Sequence, residues 1–306
     1  MKKVLIIGGA GFIGTALSAK LMSLKYKVDI ADLPNNFNEK HKEFGCISID
    51  IRDFSQFKCF DSKNYDFVYN LAAQTSGLVS QEDPETDVDT NLKGVFNCFR
   101  YFKNKNLSSF IYTSSMAVYG DSEIKIDETH ALNPKSNYGM SKLASEVYVR
   151  AFADYDINYT IARLFNVYGP GQDFSNLKQG MLSIYLAQAI DDSKIKITGS
   201  LERYRDFIYI DDVVDFLVRA INEDKLRNEV FNIGTGNKTT VDELVNKIIK
   251  KLDKNVEYTN IGGHNGDQFG TFACIEKIKQ FSEWKPKVSL EQGLDITIKH
   301  AKEILK

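Results

Sequence analysis

The sequence predicts an α/β fold: a doubly wound parallel sheet joined to a smaller C-terminal α/β lobe. Three features of the chain carry this expectation. Short apolar runs alternate with longer amphipathic stretches through the first half, the first run ends in a cluster of glycines, and the rhythm changes after about residue 165. Strands that alternate with helices form βαβ crossovers, and such crossovers bury a parallel sheet on both faces.

Taken in order, KVLIIG, KVDIAD, CISID, DFVYNLAA, SFIYTSS and YTIARLFNVYG read as buried strands, and the segments between most of them read as helices. Beyond them, MLSIYLAQAI, VDELVNKIIKKL and LEQGLDITIKHAKEIL have helical periodicity, whereas RDFIYI and VFNIG read as short strands. The chain therefore divides into residues 1–165, a dinucleotide-binding sheet domain, and residues 166–306, mainly a substrate lobe. No Pro- or Ser-rich linker separates them, so the lobes are expected to interleave around a shared cleft.

The composition narrows the class of partner. A chain of 306 residues can bury a substantial core, and a net charge of −2 argues against a nucleic-acid surface. No basic amphipathic helix suggests a membrane, and no uninterrupted apolar run is long enough to span one. Cys46, Cys59, Cys98 and Cys274 lie far apart with no CxxC pair, and His41, His130, His264 and His300 are equally scattered. Neither a disulfide framework nor a metal site is expected, and the thiols suit a cytoplasmic location. The amino-terminal MKKVLIIGGAGFIGTALSA imitates a secretory leader, but its glycines fit a strand entering a phosphate-binding turn better.

That turn is GGAGFIG, with Gly8, Gly11 and Gly14 in a GxxGxxG pattern directly after a strand and at a helix start. Missing side chains let backbone approach a pyrophosphate, and the amides of Phe12 and Ile13 at the helix N-terminus offer hydrogen bonds to its charge. The second strand ends at Asp32, eighteen residues past Gly14, where a carboxylate accepts hydrogen bonds from a ribose and repels a 2′-phosphate. NAD is therefore expected over NADP. Asp50 and Ile51, after the third strand, are candidates for the adenine edge, and Leu71, Ala72 and Ala73, in NLAAQ, are assigned to the same cofactor site.

In SNYGMSK, Tyr138 and Lys142 are four residues apart, so a helix puts both on one face. Spacing alone does not decide, because Tyr101 and Lys105 share it. Context does. GGAGFIG, NLAAQ, TSSMAVYG, YGMSK, RLFNVYGPGQ and RDFIYIDD occur in one order, and together they resemble the extended short-chain dehydrogenase/reductase family, specifically its nucleotide-sugar epimerases and dehydratases. The resemblance runs from residue 2 to about residue 295. It implies a Rossmann-type domain, Tyr138 as acid/base, Lys142 as its partner, and Ser115 as the hydroxyl that hydrogen-bonds the reacting sugar oxygen. It also implies a homodimer through the helix that carries Tyr138. Asn166 and Arg205 match positions that hold the substrate diphosphate in relatives, and Asp267 matches an acid at the nucleoside end. Thr113 or Ser114 remains open in place of Ser115, and Arg203 in place of Arg205.

The chemistry agrees with these roles. A tyrosine is a poor base at neutral pH, but a neighbouring ammonium stabilises its phenolate. Family dehydratases place acids beside the serine or threonine; here Met116 follows Ser115, so oxidation at C4 of a nucleotide-diphosphate sugar is expected, as a 4-epimerase before a net 4-dehydrogenase. Relatives often carry an arginine where this chain has His264, which leaves uridine, guanosine and thymidine diphosphates open.

Overall fold

The computed structural model describes residues 1–191, 194–263 and 268–305. From the amino terminus, β1 (Lys3–Ile7) enters α1 (Phe12–Ser23), and β2 (Lys27–Asp32) and β3 (Gly45–Ser48) follow. The chain then crosses back to β4 (Phe67–Asn70), continues through α2 (Gly77–Glu82), α3 (Pro84–Val88) and α4 (Gly94–Phe102), and reaches β5 (Ser109–Ser115). A π-helical turn, Asp89–Lys93, joins α3 to α4. Next come α5 (Asn137–Arg150), β6 (Asn158–Leu164) and β7 (Asn166–Tyr168).

The remaining elements are α6 (Met181–Asp191), β8 (Lys194–Ile197), β9 (Tyr204–Arg205), β10 (Phe207–Tyr209), α7 (Ile210–Ala220) and β11 (Glu229–Ile233). They are followed by β12 (Thr239–Thr240), α8 (Val241–Leu252), β13 (Glu257–Asn260), α9 (Glu276–Phe281) and α10 (Leu290–Ile304).

Seven strands form one parallel sheet in the order β3-β2-β1-β4-β5-β6-β11. Alternation along β1 explains why both faces are covered. Val4 and Ile6 join the cluster packed against α1 and α7, and Leu5 and Ile7 join the opposite one, against α4 and Phe152. The strand β11 comes from the segment assigned by sequence to the smaller lobe, yet it pairs with β6 at the sheet edge. Around the main sheet the chain builds three two-stranded pairs, β10 with β7, β12 with β9 and β13 with β8. The helices α6, α8 and α10 pack together beside them.

The order of strands reverses between β1 and β4, which creates a crevice at the carboxyl ends of the sheet. This crevice positions the site. Among the described residues, no helix is long and apolar enough to cross a membrane.

Candidate active site

The glycine turn sits at that reversal point. Gly8 has φ +82, and a Cβ there would stand 2.4 Å from the Ala72 amide nitrogen, so only glycine lets β1 run this close to the segment leaving β4. The same approach brings Gly8 against Leu71 and Ala72, two of the residues assigned to the cofactor from sequence; Ala73 follows them in the chain. Gly14 packs beneath, where a Cβ would lie 2.3 Å from the Gly8 carbonyl oxygen. Gly11 is the N-cap of α1, and beside it a Cβ would meet only the Gly8 oxygen, at 3.4 Å. The amides of Phe12 and Ile13 open the helix, where no preceding turn supplies an acceptor.

Asp32 ends β2 next to this turn: its Oδ2 accepts from the Ala10 amide at 3.0 Å, and its Oδ1 accepts from Leu33 and Asn36. Open space at Gly11, two free helix amides and a fixed carboxylate fit the pyrophosphate and ribose of NAD. Asp50 and Ile51, the candidates for the adenine edge, lie just past the end of β3. The Arg52 guanidinium donates to both Asp50 oxygens at 2.6–3.0 Å and holds its carboxyl below the usual range, and the Ile51 side chain is buried in the core.

The helix α5 brings the second group of residues to the same edge. Ser136 caps it by accepting from the Gly139 amide at 3.2 Å. Gly139 allows its first turn to press on the bend after β5, where a Cβ would stand 2.4 Å from the Ala117 oxygen. That contact sets Tyr138 beside Ser115. Burial pushes the Tyr138 phenol up to about 12, a hydrogen bond between Ser115 and Tyr138 works in the opposite direction, and the charge of Asp87 adds to the rise.

One turn later, Lys142 is buried, with Nζ donating to the Thr113 carbonyl at 2.9 Å. Its ammonium lies 4.8 Å from the Tyr112 ring centroid and 5.9 Å from that of Tyr138. Burial pushes Lys142 down to about 8, against the pull of Asp87 and Glu146.

Three adjacent hydroxyls on β5 have different tasks. Ser114 points to the other face and donates to Glu146 Oε1 at 2.6 Å, and Thr113 donates to the Asn70 carbonyl at 3.4 Å. Ser115 faces Tyr138 and also accepts from the Ala117 amide at 3.2 Å. Tyr101 and Lys105, by contrast, sit at the opposite edge of the sheet. There the Tyr101 hydroxyl donates to Asp61 at 3.0 Å, and Lys105 lies beyond the end of α4 over the Tyr101 ring.

Ser115 pairs in register with Leu164, so Asn166 leaves β6 just beyond it. Its side chain donates to the Asp206 carbonyl at 3.2 Å. Arg205 is buried and donates to the carbonyls of Tyr204, Phe269 and Gln268 at 2.8–3.0 Å, whereas Arg203 reaches those of Ser200 and Thr198. His264 and Asp267 lie outside the described residues.

Residues missed by the sequence reading surround Lys142. Buried Asp87 and Ser141 form a hydrogen-bonded cluster there with half-buried Gln74, and their only linear signal is the four-residue spacing of Asp87 and Asn91 on a helical stretch. Among the described residues, no group of three or more His, Cys, Asp or Glu is placed to hold a metal.

Comparison with known proteins places this geometry. Residues 4–234 match the NAD dependent epimerase/dehydratase family. A Methanocaldococcus jannaschii protein provisionally named UDP-glucose 4-epimerase is 33% identical over 299 residues, covering 95% of each chain. The dTDP-4-dehydro-6-deoxyglucose reductase of Escherichia coli is 31% identical over 309 residues, covering 97% of this chain and 96% of that one. The crystal structure of the Thermotoga maritima UDP-glucose 4-epimerase with UDP-glucose superposes with a TM-score of 0.91 at 32% identity, over 99% of this chain and 100% of that one. With the reversal-point glycines, the strand-end acid and the Tyr138–Lys142 pair on one sheet edge, this chain belongs to the NAD dependent epimerase/dehydratase family, enzymes of the extended short-chain dehydrogenase/reductase type.

Proposed function

We propose that this enzyme inverts C4 of a nucleotide-diphosphate sugar, with NAD as a cofactor that stays bound. The observation that carries the reading is the convergence of Ser115, Tyr138 and Lys142 beside the glycine turn at the carboxyl edge of β5. Tyr138 takes the proton of the C4 hydroxyl, Ser115 hydrogen-bonds the same oxygen, and Lys142 offsets the charge that develops on the phenolate. Bound NAD supplies the hydride acceptor and a positive nicotinamide. Gly8, Gly11, Gly14, Asp32 and the amides of Phe12 and Ile13 hold its adenosine and pyrophosphate half, and Leu71, Ala72 and Ala73 line the side formed by β4.

Asn166 and Arg205 are assigned to the substrate diphosphate and Asp267 to its nucleoside. Met116 and Ala117, which follow Ser115, give no acid to expel a C6 hydroxyl, so dehydration lacks a proton donor in that bend. A uridine nucleotide is favoured because the M. jannaschii and T. maritima relatives both carry the name UDP-glucose 4-epimerase.

The reading includes a homodimer. Met140, Val147 and Tyr148 are exposed along one face of α5, and Val88 and Phe96 lie exposed on the neighbouring helices, with the Phe96 and Tyr148 rings 5.1 Å apart. Exposed apolar side chains on neighbouring helices suit a second copy of the same surface.

The test is incubation of the purified protein with UDP-, GDP- and dTDP-sugars, following C4 stereochemistry by NMR and NADH by absorbance. Inverted C4 without accumulated NADH, lost about 10²–10⁴-fold in Tyr138→Phe, is the expected result. A 4-ketosugar formed with stoichiometric NADH would instead make the enzyme a net dehydrogenase, a redox outcome in line with the E. coli reductase relative.

A further inference from the structure

We propose that Asp87 is a positioning residue whose buried carboxylate is the counter-charge that keeps Lys142 an ammonium beside Tyr138. The inference rests on the reading of Tyr138 and Lys142 as the proton-transfer pair. Asp87 is fully buried on α3. Its Oδ1 accepts from Gln74 at 2.8 Å and Asn91 at 2.9 Å, and its Oδ2 accepts from Ser141 at 2.6 Å. All three donors are neutral. Hydrogen bonds of this kind hold the carboxylate in place but do not cancel its charge, and a buried ion is costly unless one of opposite sign lies near.

Lys142 has the complementary problem. Its Nζ is surrounded by the Thr113 carbonyl and the rings of Tyr112 and Tyr138, none of which is an anion when the phenols are protonated. Two carboxylates act on it, Asp87 from α3 and Glu146 from its own helix. Glu146, however, is held by Arg163 at 2.7 and 2.9 Å and by Arg150 at 3.0 Å, so its charge is already matched. Around Lys142, among the described residues, this leaves Asp87 as the carboxylate without a cation already bound to it, and Lys142 as the cation without a bound anion. Ser141, the residue next to Lys142, donates to Asp87 and fixes α5 against α3 at this point.

Asp87 also opposes the Tyr138 phenolate directly, as a like charge. Its benefit therefore runs through Lys142, which separates it from a group that touches substrate.

The decisive measurement is the titration of Lys142 in protein carrying ¹³C-labelled lysine, read from the side-chain Cε shift by NMR and assigned by its loss in Lys142→Arg. Asp87→Asn keeps the shape and removes the charge, and the midpoint is expected to fall by about one pH unit or more. Ser141→Ala removes one hydrogen bond but leaves the charge, and is expected to keep the native midpoint. Asp87→Ser is a second neutral variant, expected to shift the midpoint as the amide does, should the amide not fold. An unchanged midpoint in the neutral variants, or an equal fall in Ser141→Ala, would overturn the assignment. In turnover, the alkaline limb of the kcat profile is expected to move down by the same amount. Because the titration needs no substrate, failure of the epimerase reading would show as absent turnover in the native enzyme while the Lys142 shift remained.

Discussion

Burial pushes the Tyr138 phenol up to about 12 and the Lys142 ammonium down to about 8, so the protein interior by itself favours the neutral form of both. Proton transfer at neutral pH thus depends on positive charge arriving near the phenol, and Lys142 is the chain's own source of it. Lys142→Met should lower kcat at pH 7 by about 10²-fold or more. The activity that remains should rise about tenfold per pH unit, because without the cation the phenolate forms only at higher pH. A flat pH profile in this variant would mean that Lys142 acts by binding alone. The decoy pair makes the same point from the other side. Tyr101 and Lys105 share the spacing but lie at the wrong edge of the sheet, with the Tyr101 hydroxyl spent on Asp61.

At the scale of elements, α5 has two working faces. Gly139, Ser141, Lys142 and Ser145 are buried toward β5 and α3, whereas Met140, Val147 and Tyr148 look outward. A helix that exposes apolar residues at positions i, i+7 and i+8 presents a single stripe, and covering it with a symmetry mate removes that area from water. Val147→Lys is expected to shift the protein from dimer to monomer in light scattering coupled to gel filtration. A native protein that is already monomeric at micromolar concentration would rule out this face as the interface. The inward face of α5 needs no partner for its geometry, since the Ser136 cap and the contact of Gly139 with Ala117 fix its start within one chain.

At the scale of the whole molecule, Asp206 ties together segments of the C-terminal half that are far apart in sequence. Its carboxylate is fully buried and accepts from the Thr235 amide and hydroxyl, the Gly236 amide and the Ala273 amide at 2.5–3.1 Å, while its carbonyl accepts from Asn166. These contacts tie β9 and β10 to the loop after β11 and to the segment before α9. Asp206→Asn replaces one accepting oxygen with a donor, which leaves the Gly236 and Ala273 amides without their acceptor or forces the side chain to turn. A loss of about 1–3 kcal/mol in chemical denaturation is expected. Undiminished stability would show that water or a rearranged loop takes over those amides.

Local chemistry made much of this protein legible in its sequence. The first five strands, the helices at 181–190, 241–252 and 290–305, the glycine turn and the acid at Asp32 announce themselves, because periodicity and glycine placement are properties of adjacent residues, whereas YTIARLFNVYG, read as one strand, divides at Phe165 into β6 of the main sheet and β7, which pairs with β10. Tertiary structure alone decided the rest. It set β11, from the C-terminal half, at the edge of the main sheet, since strand pairing over long separations leaves no local mark. It turned Ser114 toward Glu146 and Ser115 toward Tyr138. It also committed Asp50 to Arg52 and Ile51 to the core. Above all it gathered Asp87, Gln74 and Ser141 around Lys142, because a buried charge is defined by what surrounds it in space and not by its neighbours in the chain.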